Sequence, residues 1–194
     1  MAGSNMPAKI ILLNGAGSAG KSSIARALQE IATAPFLHVE MDVFLAMVPE
    51  ALQDHPDGLS FETKLEDDRP SVFAKTGPVA ERVLSGMRRS VAELARAGNN
   101  LIVDDVLFGN AGVHGDTFAD YQSLLAPHVF HIVGVFAPLE VLEARERRRG
   151  DRLVGLARWQ HTRVHEGFTY DLSVDAGTAS PGDCARVIKE TFGL

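Results

Sequence analysis

Lys9-Ile-Ile-Leu-Leu-Asn14, followed by Gly15-Ala-Gly-Ser-Ala-Gly-Lys-Ser22, decides the fold. The first six residues are a short apolar run ending in glycine, the pattern of a strand buried on both faces. The next eight (Gly15, Ala16, Gly17, Ser18, Ala19, Gly20, Lys21, Ser22) fit G-x-x-x-x-G-K-[ST] at every fixed position. From Ser22 to Ile31 the apolar residues Ile24, Ala25, Leu28 and Ile31 recur at helical spacing. A motif of this kind needs a strand before it and a helix after it, and both are here. Glycines let successive backbone N–H groups point into one concavity, and the helix that follows adds its positive end. Lys21 supplies a mobile ammonium for terminal phosphates, and the Ser22 hydroxyl is a magnesium ligand of the right hardness. The loop predicts a nucleoside triphosphate, ATP with Mg²⁺.

Outward from the loop, strands are expected at Phe36–Met41, Leu101–Val103, Val129–Ala137 and Leu172–Val174. Helices are expected at Val79–Arg96, Pro138–Arg149, Trp159–Glu166 and Asp183–Thr191. Residues 46–75, rich in Pro, Asp and Gly, read as irregular, with helix only near Phe44–Leu52. Strand and helix alternate about five times, so the fold class is α/β with a parallel sheet covered on both faces. With no repeat or linker, residues 1–194 form one domain. Met1–Met6 lacks the basic start and apolar core of a signal peptide and reads as an appended or disordered start.

In such sheets ligands sit beyond the carboxyl ends of the strands. Asp42 follows the second strand and Asp104-Asp105 follows Leu-Ile-Val of the third, both at the edge where the phosphate loop lies. Phosphoryl transfer to a hydroxyl needs an acceptor for the proton and an acid that helps hold the metal. Asp42 is the candidate for the first role and Asp104 for the second, with Asp105 as the alternative. A single Asp at a strand end is ordinarily a loop cap, and the clustering of three is what favours chemistry.

Five arginines lie at 145, 147, 148, 149 and 152, against two acids, Glu146 and Asp151. Arg145, Arg149 and Arg152 share a face if the helix continues, with Arg148 near it and Arg147 away from it. Guanidinium forks suit phosphate oxygens. Beside a phosphate loop, a lid over residues 145–155 is favoured over a merely solvated face.

The formal charge of −6 argues against nucleic acid as a partner. No apolar run approaches the roughly eighteen residues needed to cross a membrane. Cys184 is the single cysteine, which requires no oxidising compartment, and the expectation is cytoplasmic. His161 and His165 are four apart but lack the glutamate of H-E-x-x-H, and all seven histidines read as structural or surface residues. Neither N-K-x-D nor D-x-x-G occurs, which disfavours a nucleotide switch.

With IILLNGAGSAGKS, Asp42 followed by FLAMVP, LIVDDV, RGDRLVG and VHEGFTYDLSVD in place, the chain resembles the chloramphenicol phosphotransferase family of small P-loop kinases. The phosphate loop is common to many families, whereas RGDR together with VHEG and YD-x-x-VD is far more specific. The resemblance implies a P-loop NTPase fold with a five-stranded parallel sheet, like adenylate and shikimate kinases. It also implies transfer of the ATP γ-phosphate to a hydroxyl of an antibiotic such as chloramphenicol. By resemblance the base falls on Asp42, the nucleotide loop on Gly15–Ser22, and the lid on Arg145, Arg149 and Arg152. Residues 53–78 match least, and the region 44–78 is expected to receive the acceptor. Phe44, Met47, Val48 and Phe61 either line its pocket or belong to the core. A metabolite or nucleotide kinase with another pocket is the alternative.

Overall fold

The structure, a computed structural model, describes residues 7–66, 68–109, 117–150 and 153–194. Met1–Met6 and the lid residues Asp151 and Arg152 therefore lie outside the described residues.

Five strands form one parallel sheet: β1 (Lys9–Asn14), β2 (Phe36–Glu40), β5 (Asn100–Asp105), β6 (Val129–Phe136) and β7 (Leu172–Asp175). Their order across the sheet is β2-β5-β1-β6-β7. β1 is central, with β5 on one side and β6 on the other. The chain leaves β1 toward one edge and later returns to build the other, so the crevice beyond β1 is a topological switch point.

Alternation along the strands divides the core. Ile11, Leu13, Ile102, Val133 and Val135 meet Ile24 and Leu28 of α1 (Lys21–Ile31) and Ile188 of α7 (Pro181–Phe192). Ile10, Leu12, Leu101 and Val103 face the other way. They meet Met87 and Val91 of α3 (Pro78–Arg96) and Tyr121 and Leu125 of α4 (Thr117–Leu125). Each buried Leu or Ile contributes about 1.5–3 kcal/mol. Two such layers hold β1 rigid, and with it the loop that follows.

Three local features depart from the expectations. β2 ends at Glu40, and Asp42 sits in the first turn of a short helix, α2 (Met41–Leu45). Residues 59–76, expected to be irregular, form an antiparallel hairpin of β3 (Leu59–Glu66) and β4 (Arg69–Thr76). A helix, α4, occupies a stretch for which no element was expected.

The hairpin is not part of the main sheet. It packs on α6 (Leu156–Arg163), where Val72 N–H donates to Gly155 O at 3.0 Å. Gly155 has φ +108°, and a Cβ there would lie 2.5 Å from Pro70 O, so the contact demands glycine. Arg69 of the hairpin reaches Glu143 of α5 (Leu139–Arg149) at 2.8 Å, and Arg158 of α6 pairs with the same carboxylate.

Candidate active site

The loop from Gly15 to Ser22 joins β1 to α1 and lines a cavity of about 610 Å³. Its backbone turns left-handed at Ser18 (φ 63°) and Gly20 (φ 100°). Lys21 is buried, and its Nζ donates to Gly15 O at 2.8 Å and Ala16 O at 3.2 Å, 3.6 Å from Asp104 Oδ1. Ser22 Oγ donates to Asp104 Oδ2 at 2.6 Å. A hydroxyl and a carboxylate thus converge at the N-terminal end of α1, a pair of hard oxygen donors of the kind magnesium takes. Burial pushes the Asp104 carboxyl up, but Lys21, His38 and the Ser22 hydroxyl outweigh it and hold it below the usual carboxylate range.

Asp104 and Asp105 face opposite sides of the sheet, as strand geometry requires. Asp105 accepts from Tyr121 Oη at 2.9 Å and from Val106 N–H at 2.7 Å. Its burial raises its pKa against those partners. Asp104, not Asp105, is therefore the acid next to the phosphate loop.

Arg145, Arg148 and Arg149 all border the same cavity. Arg145 is held by backbone: its guanidinium donates to Ala19 O at 3.2 Å and to Ala176 O at 2.7 Å. It braces the phosphate loop as well as lining the cavity. Arg147 turns away, 4.0 Å from Glu143.

A second cavity, of about 780 Å³ and more apolar, lies beside the first. Phe61 and Ala74 of the hairpin, Leu84 of α3, and Phe108 and Trp159 contribute to its walls. Trp159 packs obliquely on Phe73 and Phe108, at centroid distances of 5.7 and 5.1 Å. Of the four apolar residues singled out in the sequence, only Phe61 lines this cavity. Phe44 packs against the core, Val48 is buried, and Met47 is exposed. Met41, Asp42, Val106 and Arg149 border both cavities.

Three residues near the site carried no signal in the sequence. Gln160 Oε1 accepts the Gly17 N–H at 2.6 Å. Glu146, fully buried among the arginines, accepts the N–H groups of Gly155 and Ala157 at 2.8 Å each and so caps α6. His38 lies in β2 two residues before Glu40, with Nδ1 3.6 Å from Glu40 and Nε2 3.8 Å from Asp104. A lone acid in a basic helix, or a Gln or His inside an element, looks like any surface residue until its neighbours across the fold are known.

A phosphate loop at the switch point of a five-stranded parallel sheet, under an arginine-bearing helix, defines a P-loop phosphotransferase. The family described as "Chloramphenicol phosphotransferase-like protein" matches residues 8–193, and the chain belongs to it. A Mycobacterium tuberculosis protein named "Putative O-phosphotransferase Rv2636" is 30% identical over 189 residues, covering 95% of this chain and 82% of that one. Among solved structures, the fold is similar to Mycobacterium tuberculosis APS kinase CysC in complex with AMPPNP and APS. That match has a TM-score of 0.63 at 15% identity, over 97% of this chain and 99% of the other. The Deinococcus radiodurans tunicamycin resistance protein gives 0.63 at 16% identity, over 96% of both chains. No helix among the described residues is long and apolar enough to cross a membrane.

Proposed function

We propose that the chain is an ATP-dependent O-phosphotransferase acting on a hydroxyl of a small, largely apolar molecule. The carrying observation is that a polar cavity and an apolar one meet at Asp42 and Arg149. The polar cavity suits a triphosphate, with the backbone N–H groups of residues 17–22 and the Lys21 ammonium as its cradle. Ser22 and Asp104 would hold magnesium, whose charge offsets that of the phosphates when it is bound. The apolar cavity, walled partly by the 44–78 region, suits the acceptor.

Asp42 orients the acceptor hydroxyl and takes its proton. The hydroxyl oxygen bonds to the γ-phosphorus, the bond to the β–γ bridging oxygen breaks, and ADP leaves. Arg149, at the end of the arginine-bearing helix α5, meets the phosphoryl group in transit. Arg145 holds the loop still. Most of the catalysis is positioning and charge, as phosphoryl transfer allows. Reliance on ATP fits a cytoplasmic setting.

The test is a screen of hydroxylated compounds by ADP release, with chloramphenicol as the first member because of the family to which the chain belongs. Acceptor-dependent ADP release with one phosphate on the product supports the reading. ATP turnover indifferent to every apolar alcohol would contradict it.

A further inference from the structure

The His38 imidazole has no part in the reaction proposed above, yet it is placed as a ligand would be. β2 and β5 run parallel, with His38 beside Ile102 and Glu40 beside Asp104. Residues two apart on paired strands share one face, so His38, Glu40 and Asp104 all lie on the α1 side of the sheet. One donor atom from each lies within 4.8 Å of the other two.

The His38 side chain is only 8% exposed, and its Nε2 has no hydrogen-bond partner among the described residues. Its nearest charged neighbour is Asp104 Oδ2 at 3.8 Å, beyond hydrogen-bond range. A buried ring nitrogen left without a partner ordinarily destabilises the fold by about 1–3 kcal/mol. The second ring nitrogen, Nδ1, lies 3.6 Å from Glu40. Two carboxylates thus lie within reach of one imidazole, and one of them, Asp104, is also bonded to Ser22.

We propose that His38, Glu40 and Asp104 form a site for a divalent transition metal, adjoining the Ser22–Asp104 pair and sharing Asp104 with it. Bonds of about 2.0–2.2 Å to nitrogen and oxygen put ligand atoms no more than about 4 Å apart, so small side-chain rotations close the site. Imidazole is the deciding donor. A site of oxygens alone suits Mg²⁺, whereas one nitrogen moves the preference toward Co²⁺ and Zn²⁺. Lys21 approaches the other oxygen of Asp104, Oδ1, and leaves Oδ2 toward His38. Sharing Asp104 makes a cation at His38 a competitor for the carboxylate that Ser22 holds.

The experiment titrates the nucleotide-free protein with Co²⁺, followed by its visible absorption and by calorimetry, with excess Mg²⁺ as competitor. Because nucleotide and acceptor are absent, the result does not depend on phosphoryl transfer. The wild-type protein should bind one saturable equivalent that Mg²⁺ displaces poorly. His38→Asn should weaken it by at least about tenfold, the lower bound for losing even a supporting partner of a metal ligand. Glu40→Gln, partly exposed and conservative in volume, should weaken it as well and carries the test if His38→Asn does not fold. Absence of a saturable equivalent, unchanged affinity in the variants, or equal displacement by Mg²⁺ would overturn the proposal.

Discussion

The Gly17 N–H donates to Oε1 of Gln160 at 2.6 Å, so the phosphate loop is pinned by a side chain that also lines the apolar cavity. Gln160→Ala removes the acceptor and leaves a buried N–H unsatisfied, at a cost of about 1–3 kcal/mol. Denaturant unfolding should show that loss. ATP titration should show weaker binding, because the loop is no longer held. Wild-type values for both would mean that Gln160 only fills space.

Lys21→Ala should remove nearly all turnover. The ammonium is the one cationic side chain of the phosphate loop itself, and it rests on loop carbonyls with Asp104 close by. A folded Lys21→Ala protein that retains near-normal turnover would end the assignment of the loop.

Arg149→Ala should lower kcat far more than it raises the KM for ATP. The residue borders both cavities, where, in the reaction proposed, charge would redistribute as the phosphoryl group crosses. Steady-state kinetics separates the outcomes. A change confined to KM would make Arg149 a clamp on bound nucleotide, and no change would make it a solvated surface residue.

Much of this site could be read from the sequence. The strand, loop and helix from Lys9 to Ile31 are local, so motif and periodicity report them directly. Arg145 and Arg149 share a face by helical spacing alone, and Asp104 and Asp105 diverge by strand alternation alone. The hairpin was hidden because its strands carry charge on both sides of its turn. Glu62 pairs with Lys64 and Lys75, Leu65 is exposed, and Pro70 lies within β4. Its Phe73 packs on Trp159 of α6, more than eighty residues away, which no local pattern can report. For the same reason the sequence does not report what Gln160, Glu146 and His38 do: each is defined by a partner on another element. Asp42 lies at the expected edge, but β2 ends at Glu40, one residue short of the expected strand, and a helical turn carries Asp42.

The His165 imidazole predicts a pH dependence of stability. Burial, with His161 and Lys21 nearby, lowers its pKa to about 4. The unfolded value is about 6.5, so the folded state favours the neutral ring. Its contribution is present above about pH 6.5 and is lost as pH falls toward 4. The stability difference between wild type and His165→Gln, from denaturant curves, should shrink across that window. The ring is partly exposed, so the change should be modest. A difference independent of pH would contradict the depressed pKa.

Asp42→Asn tests the central claim most directly. The amide keeps the volume of the carboxylate and removes its basic oxygen, while the phosphate loop, Ser22 and Asp104 stay untouched. Nucleotide affinity should remain close to wild type. Single-turnover phosphorylation of a confirmed acceptor should fall by about 10²-fold or more, the range for a positioned general base. A rate that survives the substitution, or an affinity for ATP and magnesium that collapses with it, would contradict the assignment of Asp42 as the group that takes the acceptor's proton.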